Sequence, residues 1–418
     1  MSIVIAGGGI GGLTAALSLH AAGITDVSVA EAALEVQPIG VGINLPPHAV
    51  RELTELGLGD GLASLGAQST ELAYYDPMGE LIWSEPRGLA ADYRWPQYSV
   101  HRGKLQQLLA EAVVARFGPD AVQSGMRITG FHQHDGGVTC EFQNRRSDTT
   151  ASTTASLLIG ADGIRSSVRR VLRPDEGPLS WSGWLMWRGV TWAPSFLSGT
   201  SMVIVGDEVQ RVVAYPISGP RADGLVLVNW ILSRRTDETA TESERGNWTQ
   251  PADKRDLVQY VDSMRFDWLD IASLIGNAEA AYEYPKVDLE PLDRWTDGRV
   301  TLLGDAAHAM YPFGSNGASQ AIIDARVLAL ELATHDDEIE ALASYEEARR
   351  PVTTQVQLAN RRQDGEVMTR VSELARGSAV GDAADELKSV EVQYKRLAGF
   401  EAETLNTRPS LSVPGREK

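Results

Sequence analysis

Ile3-Val4-Ile5-Ala6-Gly7-Gly8-Gly9-Ile10-Gly11-Gly12-Leu13 decides how this chain is read. Four apolar residues running into glycine suit a short strand buried on both faces. Leu13, Ala16, Leu17 and Leu19 follow at helical spacing, and Gly23 ends that helix. Val27-Ser28-Val29-Ala30 reads as a second strand with Glu31 at its end. The order is strand, G-x-G-x-x-G (Gly7, Gly9, Gly12), helix, strand, acid. Gly7 permits a tight turn, Gly9 lets a pyrophosphate approach the backbone, and Gly12 lets the helix lie close on the sheet. The helix start turns free N–H groups to the phosphates, and Glu31 accepts hydrogen bonds from a ribose diol. A dinucleotide is expected. The pattern leaves FAD and NAD both open, while Glu31 disfavours the 2′-phosphate of NADP at this place.

Two later stretches repeat the strand-to-glycine turn. Leu157-Leu158-Ile159 runs into Gly160-Ala161-Asp162-Gly163. Val300-Thr301-Leu302-Leu303 runs into Gly304-Asp305-Ala306-Ala307-His308, then Pro312-Phe313-Gly314-Ser315-Asn316-Gly317-Ala318. A helix is expected after that, through Ala321, Ile322, Ala325, Leu328, Ala329 and Leu332. Turns so far apart imply one composite site, so the domains must interleave. The 40 glycines, a little above the usual share of about 7%, collect partly at these turns.

In this order and spacing the motifs resemble the FAD-dependent aromatic hydroxylases, the single-component flavoprotein monooxygenases of the para-hydroxybenzoate and salicylate hydroxylase type. The likeness covers roughly residues 1–360, with Val100-His101-Arg102-Gly103 and Tyr345-Glu346 before Arg349-Arg350-Pro351 in support. Pro38-Ile39-Gly40-Val41-Gly42-Ile43-Asn44-Leu45-Pro46 and Pro312 to Ala318 are most similar to the branch with the phenazine-1-carboxylate hydroxylase of pyocyanin biosynthesis. The resemblance implies an α/β fold: a Rossmann-like FAD-binding domain interleaved with an antiparallel-sheet substrate domain, plus C-terminal helices. It places FAD contacts at Gly7, Gly9, Ile10, Gly11, Gly12, Glu31, Ala32, Val41, Gly42 and Ile43. It adds Arg102 near the diphosphate, Asp162 and Gly163, Gly304, and Asp305 on a ribityl hydroxyl. Gly314, Gly317 and Ala318 would open a helix beneath the flavin carbonyl edge. Two positions depart from the family: Ala32 and Ala33 stand where relatives often carry Arg, and Ser319 replaces an Asn.

The activity implied is that of an external monooxygenase. NADH or NADPH reduces FAD, O2 is captured as a flavin C4a-hydroperoxide, and one oxygen enters an electron-rich aromatic or heteroaromatic ring. Attack at a carboxylate-bearing carbon would release CO2. Pro312 and Phe313 are expected over the ring, with Met186, Arg188, Tyr215 and Trp230 as cavity candidates; no catalytic group is assigned. Trp181, Trp184, Trp187 and Trp192 suit core packing or the wall of a flat cavity. His308 is expected to be structural, and no metal is expected from the histidine spacing. A flavin-dependent halogenase would carry W-x-W-x-I-P, whereas Trp184-Leu185-Met186-Trp187 has a wider gap and no Ile-Pro. The alternatives are an oxidase or dehydrogenase that inserts no oxygen, and a non-catalytic FAD-containing binding protein.

Around these motifs the chain is plain. Its 418 residues carry 38 Lys and Arg against 56 Asp and Glu, a net charge of −18 that argues against nucleic acid and anionic membranes as partners. One cysteine excludes an internal disulfide, and the absence of a secretory pattern or a long apolar run suggests a cytoplasmic protein, monomer or homodimer. Residues 1–69, 87–174 and 286–360 are expected to form the FAD domain. Residues 70–86 and 175–285 form the substrate sheet, with alternating strands at 201–205, 209–217 and 224–232. Residues 234–253 read as an exposed loop, 361–405 as helical and 406–418 as a loose tail; the sequon Asn247-Trp248-Thr249 carries no weight without a secretory signal.

Overall fold

The computed structural model describes residues 1–35, 40–236, 250–377 and 379–413. Pro38, Ile39, the sequon and most of the 234–253 loop lie outside them.

Ile3–Ala6, all four residues buried, is the centre of a five-stranded parallel sheet. Leu157–Gly160 flanks it on one side, with Ile3 opposite Leu157, and Val27–Glu31 on the other, with Ile3 opposite Val27. Val300–Leu302 and Val122–Ser124 complete the edges. The three strands that run into glycine turns therefore end at one side of one sheet, although they are drawn from chain positions as far apart as Ile3 and Leu302. Parallel strands buried on both faces need the continuous Ile, Val and Leu runs seen here. The helices Ile10–Ala21 and Gly317–Thr334 lie against each other over this sheet. A Cβ on Gly11 would come within 3.3 Å of Ala321 Cβ, which shows how close the two helix starts sit.

The second sheet has eight strands. Its order is Gln250–Pro251, Ala281–Asp288, Ser180–Pro194, Leu225–Arg235, Gln210–Pro216, Ser201–Gly206, Glu71–Tyr75 and Leu81–Pro86. Neighbours are antiparallel except Ser201–Gly206 and Glu71–Tyr75, which run parallel. Alternation gives the sheet two apolar faces of different purpose. Trp187, Val203, Val205, Val212, Val226, Val228, Trp230 and Leu232 point to a core closed by the helices Lys254–Tyr260 and Ile271–Gly276. The other face looks toward the parallel sheet.

Two boundaries differ from the sequence expectation. The strand Ala281–Asp288 continues past residue 285, because Val287 and Asp288 stay paired with Trp181 and Ser180. The chain after Thr407 is docked rather than loose, as far as Val413. Arg408 pairs with the buried Glu52, Ser410 donates to Glu55 at 2.7 Å, and Arg326 donates to Ser412 at 3.0 Å. Leu411 and Val413 pack on the main core. Charge pairing with one buried acid, invisible in a Pro-containing tail, supplies the anchor. Among the described residues no helix is long and apolar enough to cross a membrane.

Candidate active site

A cavity of about 420 Å³ lies between the two sheets, closed at one side by the C-terminal helices Met368–Arg376 and Val380–Leu397. Gly9, Ile10, Gly11, Gly42, Ile43, Arg102, Gly163, Gly304, Asp305, Gly314, Gly317 and Ala318 all line it. So do Met186, Arg188, Tyr215, Pro312 and Phe313. The chain thus brings both groups of sequence-derived candidates to one space.

The others sit just behind the wall, each with a structural task. A Cβ on Gly7 would lie 2.3 Å from Ala161 O, and one on Gly12 2.0 Å from Gly7 O. Both are backbone contacts that nothing but glycine permits. Glu31 Oε2 accepts from Gly8 N–H at 2.7 Å and Oε1 from Ala33 N–H at 2.6 Å, leaving a second lone pair on each oxygen. Arg145, from a neighbouring hairpin, donates to Ala32 O at 2.9 Å. Val41 O accepts from Arg102 N–H at 3.0 Å. Asp162 braces the start of the helix Ser167–Leu172, whose cap is Ser166, its Oδ2 accepting from Ser167 N–H at 2.6 Å; burial raises its pKa.

Trp230 does not reach the cavity. It is fully buried on the opposite face, its Nε1 donating to Thr191 Oγ1 at 3.0 Å. Period-2 alternation is the reason: on Leu225–Arg235 the cavity face belongs to Ile231 and Ser233. None of the clustered tryptophans lines the cavity; Trp184 stands behind it, and Trp192 lies on the outer surface under Arg221.

The turns around the parallel sheet are held by a buried polar chain that sequence reading finds only in part. Asp324 Oδ2 accepts from Gly304 N–H at 3.1 Å and meets His308 Nε2 at 2.6 Å. Arg349 donates to Asp324 Oδ1 at 2.8 Å and to Gln320 Oε1 at 2.6 Å. Gln320 continues to Asn316 Oδ1 at 3.2 Å, which His48 Nε2 also meets at 2.9 Å. Burial alone would raise Asp324, but His308 and Arg349 hold it below the usual carboxylate range. Burial lowers His48 to about 3, so it stays neutral. This chain ties the Gly304–Asp305 turn to the start of the Gly317 helix. His308 belongs to it and is a structural residue.

These features can be tested against an extended FAD. The helices starting at Ile10 and Gly317 have no side-chain cap, so their first N–H groups are available to a ligand. A Cβ at Gly9 or Gly163 would meet nothing within 4 Å, which leaves the backbone open to close approach. Arg102 and Asp305 are both exposed to the cavity, one suited to phosphate and the other to hydroxyl donors. Gly314, with φ +67°, and Ser315, with φ +53°, hold the loop before the helix in the left-handed region. The residues present fit the cofactor.

On the side of the cavity formed by the eight-stranded sheet, Arg188 Nη2 donates to Gly42 O at 3.0 Å, and its guanidinium lies 5.9 Å from the Tyr284 ring. It also bonds the Tyr215 hydroxyl, which burial raises to about 12 and keeps neutral. Arg188 Nε is buried without a hydrogen-bond partner, and no carboxylate pairs with this residue among those described. Further residues escape sequence reading altogether. Arg211, Lys286 and Asp364 meet at the cavity wall from three distant segments that share no motif.

Comparison with known proteins agrees with this geometry. A family model described as FAD binding domain matches residues 1–359. Phenazine 1,6-dicarboxylic acid hydroxylase of Lysobacter antibioticus is 46% identical over 87% of this chain and 89% of its own. 3-Hydroxybenzoate 6-hydroxylase 1 of Aquipseudomonas alcaligenes is 33% identical over 86% and 88%. Among solved structures, Klebsiella pneumoniae HpxO complexed with FAD and uric acid superposes with a TM-score of 0.78 at 25% identity, covering 95% of this chain and 96% of that one. The chain belongs to the FAD-binding-domain family and is an FAD-dependent monooxygenase of the aromatic hydroxylase type.

Proposed function

We propose that the chain uses NADH or NADPH to hydroxylate a planar, electron-rich aromatic or heteroaromatic acid, with phenazine carboxylates as the leading class. Arg188 carries this reading: a guanidinium in a cavity wall, with a buried unpartnered Nε and no acid of its own among the described residues. Such a charge is stabilised by an anionic ligand, and a guanidinium takes a carboxylate through paired, charge-assisted bonds. The name of the 46%-identical relative supports a fused heteroaromatic acid.

FAD, when bound, accepts electrons from the nicotinamide and passes one atom of O2 to the ring. The chain's own residues do the rest. Met186, Val213 and Ile231 offer an apolar patch of the sheet and Pro312 with Phe313 lines the same cavity, so these surfaces orient the ring. Tyr215 fixes the direction of Arg188 through its hydroxyl. The C-terminal helices exclude water from the reacting centre. The uncapped N–H groups at Gly317 and Ala318 favour negative charge beside them, as on a reduced flavin ring.

The test is anaerobic reduction of the holoenzyme by NADH and by NADPH, with and without a panel of aromatic carboxylates, followed by turnover in 18O2. One class of acid should accelerate reduction, and its product should carry the label. Attack at the carbon bearing the carboxylate will appear as released CO2, and attack at a neighbouring carbon as a retained acid. Peroxide as the sole product with every acid, or an unlabelled product, would overturn the reading.

A further inference from the structure

The cavity wall is basic at two separate places, in a chain whose net charge is −18. Arg188 is the first. The second is centred on Trp184, with the Arg211 guanidinium 4.3 Å and the Lys286 ammonium 5.4 Å from its ring centroid. Asp364 faces both cations: Arg211 Nη1 lies 3.3 Å from its Oδ1, and Lys286 Nζ contacts the same oxygen. Asp364 stands on the π-helical turn Gln363–Val367, a kind of insertion that often marks functional sites. All three side chains are 4–8% exposed.

Two cations share the Asp364 carboxylate here, and Asp288, itself bound by Arg361, adds a further negative charge near Lys286. Arg211 Nε is buried and has no partner among the described residues. Burial lowers Lys286 to about 8, which still leaves it largely protonated at neutral pH. Keeping surplus charge out of water costs several kcal/mol per ion unless geometry and hydrogen bonds compensate. The neighbouring Arg87 is balanced by Glu391 at 3.1 Å and by Glu85 at 2.7 Å. The cavity wall therefore presents, at two separate places, an arginine whose buried Nε has no partner among the described residues, Arg188 and Arg211. Trp184, behind the wall, and the cavity-lining Arg188 lie on one strand with Met186 between them, roughly 13 Å apart at about 3.3 Å per residue. Arg188, Arg211 and Lys286 all line the cavity between these points.

We propose that Lys286 and Arg211 form a second anion-recognising pole, so that the preferred substrate is a planar fused-ring dianion held at both ends. This deepens the hydroxylase reading and rests on it. Arg188 takes one carboxylate, and Lys286 with Arg211 takes the other. Asp364 keeps those two cations turned toward each other, and the arriving carboxylate meets the Arg211 Nε that is left without a partner. Lys286, Arg211 and Asp364 then decide specificity without touching the flavin side.

The test titrates oxidised holoenzyme with phenazine-1-carboxylate and phenazine-1,6-dicarboxylate, following the flavin absorbance, and measures how each acid stimulates anaerobic reduction. The dicarboxylate should bind roughly tenfold tighter or more. Lys286→Met and, separately, Arg211→Gln should each bring the ratio of the two affinities toward one, with flavin content checked as a control for folding. Equal affinity for the two acids in the unmodified enzyme would overturn the second pole while leaving the hydroxylase reading intact. So would a ratio that persists in both variants. Failure of both acids to bind or to stimulate reduction would overturn the hydroxylase reading and the pole with it.

Discussion

The five-stranded parallel sheet offers its ligand mainly backbone, whereas the eight-stranded sheet offers side chains. Around the first, the cavity wall is glycine turns and two uncapped helix starts. Around the second, it is Met186, Arg188, Arg211, Tyr215, Ser233 and Lys286, every one projecting from a strand. The contrast follows from what each ligand asks. A dinucleotide shared by a whole family can be held by main-chain N–H groups, which tolerate variation elsewhere. A substrate is distinguished by ring size and charge, which only side chains can read. One half should therefore fail by losing its cofactor, and the other by losing its choice of acid.

The largest effect tests the first half. Gly12→Val places a side chain against Gly7 O, a backbone atom that cannot retreat. Protein purified with this change should carry little flavin and lose activity by about 100-fold or more, read from the ratio of flavin to protein absorbance. Arg188→Met tests the second half. Flavin content should hold while kcat/KM for an aromatic acid falls on the order of 100-fold, near 2–3 kcal/mol. Loss of flavin in step with activity would erase the distinction between the halves.

A smaller effect concerns the buried chain behind the turns. His48 sits near 3 in the folded protein against an ordinary 6.5, because burial penalises its charged form. Between those values the unfolded chain binds more protons, so folding stability falls as pH drops from 6.5 toward 3. Denaturant midpoints at about pH 7 and pH 4.5 should show wild type losing about 2–3 kcal/mol more than His48→Gln. The smallest change is Trp230→Phe, which empties part of the outer core and removes the bond to Thr191. It should lower stability by about 1–2 kcal/mol and leave flavin content and KM alone. A shift in KM would place Trp230 functionally on the cavity side after all.

The same contrast explains what is legible in the sequence. Backbone recognition needs glycine at set intervals, and such intervals survive in a linear string. Spacing marks Gly9 and the strands that run into glycine turns, and the resemblance those turns carry adds Gly163, Gly304 and Gly317. Side-chain recognition leaves weaker marks. Arg188 and Tyr215 stand out because they are polar residues in apolar strands, whereas the size of Trp230 outweighs its register and points to the wrong face. Its own strand holds the better signal: Val226, Val228, Trp230 and Leu232 form one apolar row, while Asn229 and Ser233 mark the other. Arg211, Lys286 and Asp364 give no local signal at all. They come from two strands and a π-helical turn, and only tertiary contact makes them a cluster. The docking of residues 408–413 is hidden for the same reason, since Glu52 and Arg326 lie far away in the chain.

The order of segments in the parallel sheet bears on how the protein is made. Its central strand emerges first, yet the strand Val300–Leu302 and the uncapped start of the Gly317 helix are synthesised late. Until they leave the ribosome, the glycine-rich turn at Gly7 faces an unfinished crevice. A nascent chain stalled before residue 300 holds the glycine fingerprint but lacks Gly304, Asp305, Gly314, Gly317 and Ala318 of the cavity wall.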